Sequence, residues 1–234
     1  MESITQLFEQ HPMVLIASLP RNNADLARAA VRGGAHAVKI HLNVSHRASG
    51  TYFGSFEEEK DTIADIARIA RQGGCLTGVM PGTDAACASP HELRELAAMG
   101  VGFMDIYEAH LPSPEYLEIP ALEPMLALGH AFTDPVLHTL AEDERVALLE
   151  ASIMHPDSYG RPLSEADLNV YKKICARFPR PVTVPTQKKI EPAQVRGLHA
   201  AGVRGIMIGA IVAGTEPERF AAVTHEFRDA LRTL

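Results

Sequence analysis

The chain repeats one pattern along almost its whole length: a short apolar run, a stretch with the apolar spacing of a helix, and then glycine. In the first repeat, residues 13–19 form an apolar run that Pro20 ends, and Asn23 is placed to cap a helix over 24–32. Eight such units can be counted. The strands they predict are residues 13–19, 37–42, 75–80, 103–108, 125–129, 147–154, 182–185 and 205–209. The predicted helices cover residues 24–32, 57–71, 90–99, 164–178 and 191–201, and a last helix is opened by Thr215 and Glu218.

Strands that are apolar throughout are typical of a sheet covered on both faces, and helical crossovers make such a sheet parallel. Eight units in 234 residues, about 29 residues each, fit an α/β fold of the closed (β/α)8 type, the TIM barrel. A doubly wound open sheet is the alternative, but it requires edge strands with polar character, which the eight runs lack. No linker or low-complexity tract divides the chain, which predicts a single TIM-barrel domain over residues 1–234.

The segment 134–154 is ambiguous in this reading. Residues 147–154 fit a sixth strand, but their first half also fits the end of a helix that begins near Ala141.

Composition excludes several classes of protein. No apolar run approaches the ~18 residues of a membrane span, and the acidic N-terminal segment does not resemble a signal peptide. A net charge of −7 argues against nucleic acid and anionic membranes as partners. The three cysteines, at positions 75, 87 and 175, form neither a closed disulfide framework nor a zinc motif, which predicts the reducing cytoplasm.

The end of the last predicted strand has the composition of a phosphate site. In a barrel the βα loops gather at the carboxyl ends of the strands, where backbone N–H groups after the seventh and eighth strands commonly bind phosphate. Gly209 has no side chain to keep a phosphate from the backbone, and Ala210 follows it at a turn. Lys188 and Lys189, just beyond the seventh strand, are expected to add positive charge. The alternative is that these glycines only form a turn.

Residues 190–210 resemble the last quarter of the ribulose-phosphate-binding barrels, a superfamily that includes sugar-phosphate epimerases, thiamine-phosphate synthase and indole-glycerol-phosphate synthase. The resemblance implies a small phosphorylated substrate and a homo-oligomer. Lys188 and Lys189 stand where these barrels usually carry a Gly-Gly pair. The metal-binding His and Asp pattern of the epimerases is not recognisable on the second and third strands.

Two ionisable residues, Lys39 and His41, interrupt the second apolar run. Side chains alternate across a strand, so these two point to the same side. Because a buried unpaired charge costs several kcal/mol, both are expected to face the barrel mouth. A desolvated lysine there can act as a base or form a Schiff base, and His41 can shuttle protons near pH 7. The alternative is that Lys39 belongs to an internal ion pair with Asp105.

The fourth predicted strand carries Asp105 and Tyr107 on one side and Ile106 and Glu108 on the other. Strand ends twist and bulge, so both Asp105 and Glu108 remain candidates. A carboxylate opposite Lys39 would complete an acid/base pair of the kind that epimerisation or enolisation needs. The alternative is a carboxylate bonded to the backbone of a neighbouring loop.

His130 and His155 follow the fifth and sixth strands. His155 is a candidate catalytic residue. With Glu108, the two histidines also make a His-His-carboxylate set on three consecutive strands, which can bind a divalent metal. Because 11 histidines make chance placement common, we predict no cofactor and keep this metal site as the alternative.

Further candidates lie in the predicted loops. Residues 43–54 form a long connection in which Arg47, hydroxyl groups and two aromatic residues lie among glycines, a composition that suits a loop folding over a ligand. A mobile surface loop or an oligomer contact is the alternative. The polar residues at other predicted strand ends that can bind ligand hydroxyls are Gln187, Asp157, Ser158 and Tyr159.

Three functions remain open at this point. The leading hypothesis is an isomerase, epimerase, lyase or aldolase acting on a small phosphorylated metabolite. In it Lys39 is the base or Schiff-base amine, Asp105 or Glu108 is its partner, and Gly209, Ala210 and Lys188 hold the phosphate. The second is a metal-dependent hydrolase or isomerase that uses Glu108, His130 and His155. The third is a non-catalytic ligand-binding barrel, since the fold alone does not decide function.

Overall fold

Eight parallel strands close into a ring in the computed structural model, which describes residues 3–234. The ring strands are β1 (Val14–Ser18), β2 (Ala37–His41), β5 (Leu76–Met80), β6 (Val101–Tyr107), β7 (Glu123–Leu128), β8 (Leu148–Ala151), β9 (Val182–Pro185) and β10 (Gly205–Ile208). They follow one another around the ring in this order, and β10 pairs with β1 to close it. The predicted (β/α)8 barrel is confirmed.

Most of the helices follow a strand and cover the outside of the ring, whereas α1 precedes β1 and the short α8 begins at the cavity rim. They are α1 (Ile4–Gln10), α2 (Ala24–Arg32), α3 (Phe56–Gln72), α4 (Pro90–Met99), α5 (Asp134–Glu142), α6 (Glu165–Arg177), α7 (Val195–Ala200), α8 (Ala210–Ala213) and α9 (Pro217–Leu231). None of these helices, which lie within residues 3–234, has the length and apolar character needed to cross a bilayer.

Side-chain caps set several helix starts as the sequence predicts. Asn23 Oδ1 accepts from the backbone amides of Asp25 and Leu26, and Ser55 and Ser89 each form a capping box with the glutamate three residues later. The predicted capping box at Thr215 is wrong. Helix α9 begins at Pro217, whose fixed φ suits the first helical position.

The structure resolves the ambiguous segment 134–154. Helix α5 begins at Asp134 rather than near Ala141, and a short connection leads from it into β8. Three features were not predicted from the sequence. They are α1, the short helix α8, and an antiparallel hairpin of β3 (Val44–His46) and β4 (Thr51–Phe53) within the loop that follows β2.

The lower half of the barrel is filled with apolar side chains. Helix α1 closes the amino-terminal end: the Thr5 amide donates to the Glu123 carboxylate at the start of β7. The residues of this cluster are Ile4, Leu7, Phe8, Val14, Ile16, Ala37, Leu76, Phe103, Met125, Leu148 and Met207. Since side chains alternate along each strand, the next inward residues of β2, β6 and β8 are Lys39, Asp105 and Glu150. The polar layer of these three residues therefore lies directly on the apolar cluster.

The Phe103 ring fits into this apolar cluster because residue 78 on the neighbouring strand is glycine. A Cβ atom at position 78 would overlap the Phe103 ring. Gly78 therefore lets a large aromatic side chain fill the barrel just below the polar layer.

We expect Gly78→Ala to lower the free energy of unfolding by about 1–3 kcal/mol, because the added methyl group overpacks the apolar cluster around Phe103. Phe103→Leu in the same chain should recover part of that loss. Urea unfolding measures both changes. Gly197→Ala is the control, since an added Cβ there meets nothing within 4 Å and alanine favours helix α7. Equal stability of Gly78→Ala and the wild type would contradict the packing described here.

Candidate active site

A cavity of about 230 Å³ opens at the carboxyl ends of the barrel strands. Its floor is the polar layer of Lys39, Asp105 and Glu150. The hairpin β3–β4 forms one side of the rim through His46 and Arg47. The remaining walls come from the ends of β6, β8, β9 and β10. This is the face of a TIM barrel on which active sites are found.

Lys39 holds the centre of the floor. Its Nζ lies 2.5 Å from Asp105 Oδ2 and 3.2 Å from Glu150 Oε2. The three residues are only 6%, 2% and 5% exposed. The predicted alternative for Lys39, an ion pair with Asp105, is thus present, and the pair lies in the cavity. Asp105 Oδ1 is buried and has no hydrogen-bond partner among the described residues.

The three groups set each other's protonation. Burial by itself lowers the pKa of Lys39, but the two carboxylates outweigh burial and raise that pKa above its ordinary value, so the amine is held as a cation. Burial and the charge of Glu150 raise the pKa of Asp105 well above its usual range. Burial also disfavours a charged Glu150, but the charge of Lys39 together with hydrogen bonds from Asp105, Lys39 and Ser152 outweighs burial and lowers the pKa of Glu150. At neutral pH the floor therefore combines a cation, an ionised carboxylate and a carboxyl group that readily holds a proton.

His41 lies beside this floor as a neutral imidazole. Burial and the Lys39 cation lower its pKa well below the ordinary value. Its Nε2 lies 3.5 Å from Ser18 Oγ, and its Nδ1 has no hydrogen-bond partner among residues 3–234. The hairpin packs on the ring, with centroids 4.8 Å away for His46 and 4.7 Å for Phe53. Burial and Lys39 also lower the pKa of His46 to about 4.

One wall of the cavity is a connected set of polar side chains. Tyr107 Oη and Ser152 Oγ lie 2.6 Å apart. Gln187 Nε2 donates to Ser152 Oγ at 2.8 Å and to Tyr159 Oη at 2.6 Å. These contacts tie together the ends of β6, β8 and β9.

The rim continues from β9 to the start of helix α8, which follows the neighbouring strand β10. Gly209, Ala210 and Ile211 line the cavity. The Gly209 amide donates to Thr186 Oγ1 at 3.2 Å. Ala210 and Ile211 are the first residues of the helix, so their amides have no acceptor within it.

The two lysines expected at the phosphate site lie elsewhere. Lys188 Nζ is 3.6 Å from Asp167 Oδ2 on helix α6. Lys189 is exposed, and its backbone amide donates to the Arg161 carbonyl. Neither residue lines the cavity, whereas Arg47 does.

Glu108, His130 and His155 are also outside the cavity lining. Glu108 begins a 3-10 turn after β6. The His130 and His155 rings meet edge to face on the exposed surface, with centroids 5.1 Å apart. Between residues 3 and 234, no group of three or more His, Cys, Asp and Glu side chains is arranged to hold a metal ion. The structure therefore does not gather these three residues into the alternative metal site.

Sequence reasoning missed Glu150. It stands alone as a charge in the apolar run 147–154, two residues before Ser152, and the argument applied to Lys39 fits it equally well. Among the predicted residues, the structure brings together Lys39, His41, Asp105, Gly209 and Ala210 around one cavity.

Solved structures of the same architecture match almost the entire chain. A thiamine phosphate pyrophosphorylase from Pyrococcus furiosus aligns with a TM-score of 0.66 at 18% identity, over 96% of this chain and 98% of its own. Tryptophan synthase from M. tuberculosis gives a TM-score of 0.71 at 17% identity, over 97% of each chain. Phosphoribosyl anthranilate isomerase from Thermus thermophilus gives 0.65 at 15% identity, over 94% of this chain and 99% of its own. The chain is a TIM barrel.

At these identities the likeness shows the fold and not the activity. It confirms, for the fold, the resemblance to phosphate-binding TIM barrels that residues 190–210 carry. No protein-family model and no curated protein matches the chain.

We expect Lys39→Met to destabilise the protein by about 3–5 kcal/mol near neutral pH, because it leaves two buried carboxyl groups without their cation. Both carboxyl pKa values then lie above those of the unfolded chain, so the folded variant takes up protons first and gains stability as the pH falls. In the wild type the pKa of Asp105 is also raised, but that of Glu150 is lowered and lies below this pH range, so the wild type takes up fewer protons and gains less stability as the pH falls. The difference in unfolding free energy between variant and wild type should therefore shrink from about pH 7.5 to about pH 5.

Urea unfolding at the two pH values tests this expectation. Lys60→Met is the control, because Lys60 pairs with Glu57 on the exposed surface of α3, where an ion pair contributes about 0–1 kcal/mol. A Lys39→Met deficit that stays constant with pH would show that the two carboxyl groups do not depend on Lys39.

Proposed function

We propose that the chain is an enzyme that moves a proton beside the carbonyl group of a small phosphorylated compound, in an isomerase or lyase reaction. The observation that carries the proposal is the buried floor of Lys39, Asp105 and Glu150 beneath an open cavity. Known proteins of this fold include enzymes named for phosphorylated compounds, which agrees with this substrate class.

Stability does not explain such a floor. Removing three ionisable groups from water is expensive, and apolar residues of similar volume often give a more stable protein. The layer below is filled with apolar side chains in that way. Perturbed ionisable groups at the base of a cleft are instead typical of active sites.

The three groups have complementary roles in an enolisation. Glu150, ionised, takes the proton from the carbon next to the carbonyl group; the electron pair of that C–H bond forms a C=C bond, and the π pair of the carbonyl group moves onto its oxygen. Lys39, held as a cation, stabilises the resulting enolate oxygen. Where the neighbouring carbon carries a hydroxyl group, Glu150 returns the proton to the former carbonyl carbon while Asp105 moves the hydroxyl proton from one oxygen to the other, which completes an isomerisation. This gives Lys39 an electrostatic role in place of the base or Schiff-base role predicted from the sequence.

The phosphate group of the substrate would lie at the start of α8. Ala210 and Ile211, whose amides have no acceptor within the helix, line the cavity there, and Gly209 carries no side chain to cover the backbone. Arg47 on the hairpin supplies a positive charge at the mouth. We leave Lys188 and Lys189 out of the proposed contacts, since Lys188 pairs with Asp167 and Lys189 lies outside the lining.

Solvent deuterium exchange tests the proposal. A panel of phosphorylated ketoses and aldoses is incubated with the protein in D2O, and loss of the proton next to the carbonyl group is followed by NMR. We expect exchange with at least one compound, and a rate about 10²–10⁴ times lower for Glu150→Gln because the proposed base is removed.

Glu144→Gln is the matched control, since Glu144 lies on the exposed surface shortly before β8. It should exchange at the wild-type rate. Exchange by Glu150→Gln at the wild-type rate, or no exchange and no binding across the whole panel, would refute the proposal.

A further inference from the structure

The side-chain amide of Gln187 is held in one orientation by two backbone groups. The Met154 amide donates to Gln187 Oε1 at 3.0 Å, and a backbone N–H cannot accept. Gln187 Nε2 lies 3.4 Å from the Ser152 carbonyl oxygen, which cannot donate. A flipped amide would set donor against donor and acceptor against acceptor, so the positions of oxygen and nitrogen are fixed.

This orientation decides the direction of the bond to Tyr159. Gln187 Nε2 lies 2.6 Å from Tyr159 Oη, and an amide nitrogen donates but does not accept. The Tyr159 oxygen is therefore the acceptor, and its own proton has to point away from Gln187. Among the described residues, Gln187 is the one hydrogen-bond partner of the Tyr159 hydroxyl. Tyr159 lines the cavity.

The backbone keeps Tyr159 in this position. The Gly160 amide donates to the Gln187 carbonyl at 2.9 Å, and the Ser158 amide donates to the His155 carbonyl at 2.8 Å. Gly160 has a φ of +74°, a conformation that favours glycine. Burial raises the pKa of Tyr159, so the hydroxyl keeps its proton at neutral pH.

We infer that Tyr159 is a hydrogen-bond donor to the substrate, and that it selects phosphorylated compounds with an acceptor oxygen, carbonyl or carboxylate, at this wall. The inference rests on the proposed function and adds to it the chemistry of the part of the substrate that contacts this wall. A compound with a methyl group there would leave the proton of the half-buried Tyr159 hydroxyl without an acceptor from the ligand, which weakens binding.

Two ligands that differ at this end test the inference. Phosphoglycolate carries a carboxylate, and ethyl phosphate carries a methyl group in its place. Binding of each is measured by calorimetry to the wild type and to Tyr159→Phe. We expect Tyr159→Phe to weaken phosphoglycolate by about 10- to 100-fold, the usual effect of a hydrogen bond to a charged group, and to leave ethyl phosphate within twofold.

Tyr116→Phe is the matched control. It removes a tyrosine hydroxyl that donates to the Ala88 carbonyl away from the cavity, and it should leave the binding of both ligands unchanged. Thermal unfolding checks that both variants are folded.

The outcomes separate the inference from the proposed function. If Tyr159→Phe weakens neither ligand, or weakens both equally, the donor role of Tyr159 is overturned while phosphate binding stands. If neither ligand binds to the wild type, the proposed phosphate contact fails and the inference fails with it, whereas the proton transfer is decided separately by the exchange experiment.

Discussion

A buried ammonium group between two carboxyl groups is the interaction on which the arrangement of the cavity depends. Lys39 joins β2 to β6 and β8 across the barrel, and the two strands that supply its partners cannot shift without separating the charges. Because the surroundings are of low polarity, each charge acts strongly on its neighbours. The same contact therefore fixes three strand ends and sets which carboxyl group holds a proton.

The apolar cluster below and the polar wall beside it support this interaction in different ways. The apolar cluster keeps water away from the underside of the ion pairs, since Phe103 and its neighbours fill the barrel there. The wall fixes direction, because the amide of Gln187 determines which way the hydroxyl groups around it point. The hairpin β3–β4 packs on His41 and brings Arg47 to the rim. The residues that follow β2 in the sequence therefore cover His41 and also line the cavity.

Much of the fold could be predicted from the chain itself, because eight apolar runs with helical connections leave few topologies. The alternation of side chains placed Lys39 with His41 and Asp105 with Tyr107, and all four line the cavity. Glu150 was missed because an apolar run such as 147–154 is compatible with a strand and with a helix, so its faces could not be assigned. Lys188 shows another limit. Its position after β9 was clear from the sequence, but the direction of its side chain depends on the turn that holds it and on Asp167, which lies in helix α6.

Helix α1 gives the cavity a particular geometry. It packs into the amino-terminal end of the barrel, next to the starts of β7 and β10, and blocks that end with Ile4, Leu7 and Phe8. The barrel is therefore closed at its amino-terminal end, and the cavity opens at the carboxyl ends of the strands. In the reaction proposed above, substrate and product would share this opening, so a turnover would end only when the product has left by the path the substrate took.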